Sequence, residues 1–438
     1  MKTSTNPGLK NRNFILVLIG QIISLFGNAI LRFAIPLYLL NETGSAALFG
    51  IVSACAFLPM VLLTPIGGII ADRVNKRNIM VALDFSTAAI VFLFALLLHR
   101  VNLVLLIAVV MFLLYGIQGA YQPAVQASVP FLVSNESLIQ ANAMINLVSS
   151  VSSLIGPVLG GALFAAVGIT PILMISTACF FASAVMEIFI QIPFVNRTAA
   201  SSSEHGMFKM VFADLHDSLQ FMIRKHPEFM RICLIIAGVN LFMSCCVMIG
   251  LPIVITQKLG LTADLANRFY GYAEGAMGAG SLFGGLLAGV LASRVRVRYN
   301  SLILLLCGIT LLPLAAVLTL PMTMNATYLL VLASSFFMMM LSAFFSILMM
   351  GCLQILTPPD IMGKVISCVM CICMCATPIG QAIYGILFEK FADKMQWLFI
   401  GSFSLMTAIA LLSIGIFRRL DQSLNDAKKG FQQMPEPV

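Results

Sequence analysis

Charged residues are scarce in this chain of 438 residues, at 10% of the sequence, whereas they make up about a quarter of ordinary soluble domains. Hydrophobic residues make up 60%. A soluble fold could not bury this much apolar surface, so lipid must surround most of the chain. The composition therefore excludes an ordinary soluble domain.

Two further absences exclude classes of function. The chain lacks the phosphate-binding pattern G-x-x-x-x-G-K-[ST] that would couple transport to ATP. No histidine has an acidic residue at a recognised catalytic spacing, and all four lie in or beside predicted loops: His99, His205, His216 and His226. We therefore predict that the chain is not an enzyme and holds no cofactor and no metal.

Long apolar windows give the fold class. A spanning helix needs about 20 mostly apolar residues, and backbone groups in hydrocarbon must be paired within the segment, which favours helices. Twelve windows meet this length: 14–40, 45–71, 79–98, 103–127, 138–166, 169–192, 229–257, 266–292, 300–321, 326–350, 363–389 and 395–417. We predict an all-α membrane protein with twelve transmembrane helices.

The net charge of +8 reflects membrane topology rather than nucleic-acid binding. Basic residues alternate between helix ends, and if the N-terminus is inside, the outer side keeps only Arg100, Lys258, Arg268, Lys390 and Lys394. Cytoplasmic loops of membrane proteins carry the excess of Lys and Arg. We predict a multi-pass protein of the cell membrane with both termini in the cytoplasm.

One polar interruption, 193–228, separates two sets of six windows. Its apolar residues recur near helical spacing and predict an amphipathic helix at the membrane surface. We predict an N-terminal six-helix bundle at 1–192, a cytoplasmic linker at 193–228, a C-terminal six-helix bundle at 229–417 and a cytoplasmic tail at 418–438.

The two halves resemble each other at a shift of 221 positions. Gly68, Ala71, Arg73 and Arg77 then fall on Gly289, Ala292, Arg294 and Arg298, and Pro157 falls on Pro378. Parallel six-helix repeats are a transporter architecture with the substrate site between the halves near mid-membrane.

The sequence GGIIADRVNKRN stands at the end of the second window. Asp72 can face a helix N-terminus, while the basic residues after it can bind phosphate or acidic partners, although a plain positive-inside loop is the alternative. The segment resembles the major facilitator superfamily signature G-x-x-x-D-R-x-G-R-[KR]. The matching residues are Gly68, Asp72, Arg73, Lys76 and Arg77. Asn75 replaces the turn glycine, and asparagine tolerates a left-handed backbone. The resemblance implies a gating role.

SSLIGPVLGG in the fifth window resembles the antiporter signature of the same superfamily, G-x-x-x-G-P-x-x-G-G. Gly156, Pro157, Gly160 and Gly161 match, and Ser152 replaces the first glycine. Small residues let another helix approach closely and Pro157 loosens the backbone, although packing alone would also explain them. The resemblance implies export.

The segments VPFLVSNESLIQANAMINLV (129–148) and TPPDIMGKVISCVMC (357–371) resemble the fourth-to-fifth and tenth-to-eleventh connections of the macrolide-efflux-like branch of this superfamily. This resemblance implies a bacterial membrane. Drug–proton antiporters often carry R-x-x-Q-G in the fourth span. Here Gln118 and Gly119 are present, but Tyr115 takes the place of the arginine. Proton coupling must then be absent or carried by another residue.

Four charged residues lie at least five positions inside the windows, where a charge is costly and functional roles are the default: Arg32, Asp84, Glu187 and Glu274. Glu274 is our first candidate for proton coupling, with structural pairing as the alternative. Asp84 and Glu187 rank second, because we expect Asp84 to pair with Arg73 or Arg77 and Glu187 to be solvated near the cytoplasmic surface.

A polar face on the first window indicates a substrate cavity. Arg32, Asn28 and Gln21 share this face, although Arg32 could instead extend outward to the membrane surface. We add Tyr115 and Gln118 of the fourth window as further cavity candidates.

Our main hypothesis is proton antiport that exports a small amphipathic or hydrophobic compound of drug or macrolide type, by alternating access. In this scheme a proton from outside neutralises an acid such as Glu274. The expected partners are a small-molecule substrate, protons and membrane lipid, with no nucleic acid, and we expect a monomer. Lipid or metabolite transport is the first alternative. A non-transporting sensor or scaffold that uses 193–228 as its contact surface is the second.

Overall fold

The computed structural model describes residues 11–134, 137–192, 220, 227–291, 294–357 and 362–432. Twelve of its helices are long and apolar enough to cross a membrane, and no strand occurs among the described residues. The prediction of an all-α protein with twelve transmembrane helices is confirmed. The predicted amphipathic helix of the linker lies outside the described residues except for Gln220, and the end of the tail from 433 onward lies outside them too.

The first six helices alternate with short connections. They are α1 (Arg12–Thr43), α2 (Ala46–Arg73), α3 (Lys76–Leu97), α4 (Leu103–Ser128), α5 (Leu138–Val167) and α6 (Ile169–Ile188). Glycines with positive φ, Gly44 and Gly168, separate α1 from α2 and α5 from α6. A side chain would be strained in this conformation, so glycine suits these helix ends.

The second six helices are less regular. They are α7 (Pro227–Lys258), α8 (Ala263–Leu291), α9 (Val297–Thr319), α10 (Met324–Leu356), α11 (Met362–Lys390) and α12 (Gln396–Gln432). Two π-helical segments, Asn240–Ser244 and Val254–Lys258, interrupt α7. The α-helical geometry of α9 breaks between Ile309 and Leu312, just before Pro313, whose ring cannot continue a regular helix.

Helix boundaries repeat the internal similarity seen in the sequence. Shifted by 221 positions, Lys76 and Leu103, the first residues of α3 and α4, fall on Val297 and Met324, the first residues of α9 and α10. The same shift thus relates both motif residues and helix starts.

The described residues form two compact units. The first unit contains α1 to α6 together with Ile249–Gly275 and Gln381–Glu389, and the second contains the rest of α7 to α12. Within the first unit α1 packs against α5 and α6, and α2 packs against α4. Buried apolar side chains, including Phe14, Val17 and Met80, fill the end at which α1 begins. The division into six-helix bundles with a linker stays a prediction.

Candidate functional site

A small cavity in the first unit is lined by α1 and α4. Its volume is about 10 Å³, and its polar lining residues are Asn28 and Arg32 of α1 with Tyr115 and Gln118 of α4. Four apolar side chains complete the lining: Leu31, Ile35, Met111 and Leu114. Four of the five predicted cavity residues therefore meet at one place.

Arg32 is the central side chain of this cavity. Its guanidinium group donates a hydrogen bond to Gln118 Oε1 (3.1 Å) and lies over the Tyr115 ring, 4.5 Å from its centroid. The Phe57 ring packs against the Tyr115 ring, with the two centroids 5.7 Å apart. A cation over an aromatic face is stabilised by the ring quadrupole, so Arg32 is held inside the unit rather than extended to the membrane surface.

Glu274 of α8 joins the same region. Tyr270, one helical turn earlier, donates a hydrogen bond to Glu274 Oε1 (2.9 Å) and stacks on Phe33 with centroids 4.9 Å apart. The Arg32 charge is near enough to act on the Glu274 carboxylate, but the two described side chains form no direct ion pair within 4.0 Å. We call Asn28, Arg32, Tyr115, Gln118, Tyr270 and Glu274 the Arg32–Glu274 site.

Gln21, the fifth predicted cavity residue, lies elsewhere. Its amide nitrogen donates a hydrogen bond to the Tyr121 hydroxyl (2.9 Å), and Tyr121 donates in turn to Glu187 Oε1 (2.7 Å). These side chains belong to a second polar group between α1, α3, α4 and α6. We call Gln21, Ser24, Asp84, Tyr121, Ser183 and Glu187 the buried acid cluster.

Hydroxyl groups surround Asp84 in this cluster. Ser24 Oγ lies 2.7 Å from Asp84 Oδ2 and 3.0 Å from Ser183 Oγ, and Ser183 Oγ lies 3.2 Å from the carbonyl oxygen of Gly20. Among the described side chains Asp84 contacts hydroxyl groups and not a guanidinium group. The expected ion pair with Arg77 is therefore wrong, and the side chain of Arg73 lies outside the described part of the chain.

Glu187 is completely buried, with 0% of its surface exposed. The expectation that it is solvated near the membrane surface is wrong, because helices α1 and α4 cover it. Its Oε1 accepts from Tyr121, whereas its buried Oε2 has no hydrogen-bond partner. A buried carboxylate oxygen without a hydrogen-bond partner costs free energy, so the protonation state of Glu187 has to be considered.

The gating motif is described in part. Asn75 is extended, with φ −60° and ψ 116°, and its side chain accepts a hydrogen bond from the backbone N–H of Arg77 (3.1 Å). It replaces the turn glycine as the N-cap of α3, not through a left-handed backbone. Lys76 lies over the Phe131 ring, 4.7 Å from its centroid. The side-chain positions of Gly68, Asp72 and Arg73 lie outside the described part of the chain.

The antiporter-like segment of α5 makes two close approaches. A Cβ atom at Gly160 would lie 3.0 Å from the Phe33 ring, and one at Gly156 would overlap Ala29 on α1. On another face, a Cβ atom at Gly161 would lie 2.7 Å from the backbone oxygen of Asn267 in α8. The glycines therefore bring α5 into backbone contact with α8, as small residues do in membrane helices. Pro157 belongs to the same contact, since its carbonyl oxygen faces Gly271.

A second contact of this kind joins α2 and α11. A Cβ atom at Gly50 would lie 2.7 Å from Cα of Gly385. Glu389, at the end of α11, accepts hydrogen bonds from the Ser45 hydroxyl and the backbone N–H of Ala47 (2.8 Å) at the start of α2. A carboxylate at a helix N-terminus is favoured by the helix dipole, which stabilises this contact.

Sequence reasoning missed several of these residues. Tyr270 precedes Glu274 by four positions, a spacing that brings side chains together on a helix and could have been recognised. No local sequence pattern predicted that Ser24, Tyr121 and Ser183 would surround Asp84 and Glu187. Among the residues searched, no group of three or more His, Cys, Asp or Glu side chains could hold a metal ion.

Comparisons with known proteins agree with this fold. The sequence profile of the Major Facilitator Superfamily matches residues 17–380. Macrolide efflux protein A of Streptococcus pyogenes is 26% identical over 181 residues, which cover 41% of this chain and 45% of that protein. An uncharacterised MFS-type transporter of Bacillus subtilis, YfiS, is 25% identical over 235 residues, covering 53% of this chain and 52% of that protein. The chain thus spans about half the length of these relatives.

Solved transporter structures share the fold at low identity. The nucleoside transporter NupG superposes with a TM-score of 0.70 at 14% identity, over 93% of this chain and 100% of that one. A bacterial homologue of the iron transporter ferroportin gives a TM-score of 0.68 at 18% identity, over 94% and 98% of the two chains.

We expect Asn75→Ala to destabilise the start of α3 by about 1 kcal/mol, and Asn75→Gly by only a few tenths, because glycine is a far better N-cap than alanine. Thermal unfolding of the purified protein in detergent measures both changes. Equal stability of the Asn and Ala proteins would contradict the capping role.

We expect Gly161→Ala to lower stability by roughly 1–3 kcal/mol, because its Cβ would press on the backbone of α8. Gly289→Ala is the matched control, since a Cβ there has no heavy atom within 4 Å. The measurement is the shift in melting temperature of each variant. Equal shifts for the two variants would show that the α5–α8 contact is not tight.

Proposed function

Because this chain belongs to the Major Facilitator Superfamily, we propose that it is a secondary transporter that exports a small amphipathic or hydrophobic compound in exchange for protons. Twelve candidate spans and the superfamily profile make it a multi-pass membrane transporter. The proposed membrane is a bacterial cytoplasmic membrane, with both termini inside. The observation that carries the proposal is the Arg32–Glu274 site.

The first argument concerns the charge at the cavity wall. In drug–proton antiporters the pattern R-x-x-Q-G places an arginine where this chain has Tyr115. Here Arg32 lies over the Tyr115 ring and bonds to Gln118 of the same pattern. A guanidinium group from α1 therefore lies beside the position at which the antiporter pattern has its arginine.

The second argument concerns proton coupling. Arg32 attracts the Glu274 carboxylate, so the charged pair is balanced while Glu274 is ionised. A proton on Glu274 cancels this attraction and leaves the positive charge of Arg32 at the cavity. Protonation therefore changes the net charge of the site by one, and this difference can shift the population between two conformations. In the proposed cycle, a proton from outside favours the conformation that binds substrate from inside.

The third argument concerns the substrate. Apolar side chains contribute half of the eight cavity residues, and the polar ones converge on one side, as in sites for amphipathic ligands. A cavity of about 10 Å³ is far smaller than the ~300–1,000 Å³ typical of sites for drug-sized ligands. A macrolide-like compound thus requires the cavity to widen during the cycle. The similarity to macrolide efflux protein A favours export of this class.

Transport of an anionic amphiphile, such as a lipid-like compound or a metabolite, is the second candidate. The observation that favours it is the guanidinium group at the cavity, because arginine binds carboxylate and phosphate groups with two parallel hydrogen bonds. A substrate screen separates the candidates, since hydrophobic cations and neutral drugs would compete poorly for such a site.

We expect Glu274→Gln to abolish substrate-dependent proton flux while the protein still folds, because glutamine keeps the hydrogen bond from Tyr270 but cannot exchange a proton. The measurement uses proteoliposomes with an internal pH indicator and a panel of hydrophobic antibiotics and dyes. Drug movement without proton flux in the parent, or parental flux in the variant, would exclude this coupling role. If no compound on the panel moves, lipids and metabolites become the first substrates to test.

We expect the Arg32→Gln and Glu274→Gln changes to be strongly non-additive, because each single change leaves the other charged group without its partner. The double variant should bind substrate and unfold much like Arg32→Gln alone. In the double-mutant cycle, the interaction energy between the two positions should be about 1 kcal/mol or more. Arg268→Gln is the matched control, since Arg268 is an exposed arginine on the same helix as Glu274. Additive effects would contradict the electrostatic pair.

A further inference from the structure

The oxygen atoms around Asp84 form a series of three contacts at hydrogen-bond distance. The series runs from Asp84 Oδ2 to Ser24 Oγ (2.7 Å), on to Ser183 Oγ (3.0 Å), and ends at the carbonyl oxygen of Gly20 (3.2 Å). The Gly20 carbonyl can only accept hydrogen bonds, and each serine hydroxyl has one proton to donate.

Three hydrogen bonds require three protons, but Ser24 and Ser183 supply only two. The remaining group in the series that can carry a proton is the carboxyl group of Asp84. We propose that the buried acid cluster is a proton-binding site and that Asp84 holds a proton in this structure. Asp84 then donates to Ser24, Ser24 donates to Ser183, and Ser183 donates to Gly20. An ionised Asp84 would leave two oxygens of the series in contact without a proton between them.

The surroundings of the cluster favour neutral acids. Its titratable groups are Asp84 from α3, Tyr121 from α4 and Glu187 from α6, while α1 contributes only the neutral side chains Gln21 and Ser24. No lysine, arginine or histidine belongs to the cluster among the described residues. An ion buried without a counter-charge costs several kcal/mol, so such a group takes up a proton instead.

The second carboxyl group gives an independent observation. Glu187 Oε2 is buried and has no hydrogen-bond partner, while Oε1 accepts from Tyr121. Asp84 and Glu187 are close enough to repel each other when both are charged. The cluster therefore holds at least one proton, and Glu187 keeps one open oxygen at which a further proton can bind.

This site is separate from the Arg32–Glu274 site. Ser24 and Arg32 are eight residues apart on α1, or about 12 Å along the helix. The inference also goes beyond the proposed function, because the cluster binds a proton whether or not the chain exchanges protons for substrate. Loss of that proton would remove one of the three hydrogen bonds that join α1 to α3 and α6.

Infrared spectroscopy of the reconstituted full-length protein tests the proposal, because a neutral carboxyl group absorbs apart from a carboxylate. We expect a carboxylic-acid band at pH 7, where exposed aspartates are ionised. One component of the band should shift in heavy water and be lost in Asp84→Asn, whereas Glu187→Gln should keep that component. Asparagine can donate to Ser24 as the neutral acid does, so this variant keeps the series of hydrogen bonds. Asp393→Asn, at an exposed aspartate, should leave the band unchanged.

Identical bands in the parent and in Asp84→Asn would overturn the proposal. So would a band that disappears on addition of sodium ions at constant pH, because the cluster would then bind a metal ion instead. Ser24→Ala gives a second test, since it breaks the series but keeps the acid. We expect it to move the Asp84 band, and an unmoved band counts against the series. The band should persist in Glu274→Gln, so failure of antiport and failure of this site are distinguishable.

Discussion

The cost of an unpaired charge in hydrocarbon is the constraint on which the polar architecture of this protein depends. The chain meets it in two ways within the first unit. At the Arg32–Glu274 site a cation and an acid attract each other, and Gln118, Tyr115 and Tyr270 hold the two groups. In the buried acid cluster no cation belongs to the described side chains, so protons must replace it. The two sites are therefore two solutions to the same energetic problem.

Backbone contact through glycine is the second constraint. The α5–α8 contact at Gly161 and Gly271 and the α2–α11 contact at Gly50 and Gly385 both lie in the first unit. Gly50 falls on Gly271 at the shift of 221 positions that relates the two halves. The repeat has thus preserved a close approach as well as a motif. At these contacts backbone meets backbone, so no side chain can move to make room. A rearrangement of the contact must therefore move the whole helices apart.

Much of the fold could be predicted because each transmembrane helix is determined by the composition and length of its own stretch of sequence. The twelve spans follow from apolar runs, and the polar face with Asn28 and Arg32 follows from helical spacing within α1. Gln21 shares that face in the sequence, yet its partner Tyr121 is 100 residues away. Ser24 and Ser183 are separated by 159 residues. Which groups surround an acid depends on such long-range packing, so the surroundings of Asp84 and Glu187 could not be deduced.

Helix α1 connects the two polar sites mechanically. It is a continuous helix from Arg12 to Thr43, with Gln21 and Ser24 in the acid cluster and Arg32 at the cavity. A helix is stiff over the roughly two turns between Ser24 and Arg32, so a shift of one end displaces the other. Any motion of α1 that loosens Arg32 from Gln118 therefore also strains the hydrogen bonds of Ser24. Because those bonds need the proton of Asp84, proton occupancy of the cluster sets how firmly α1 holds the wall of the cavity.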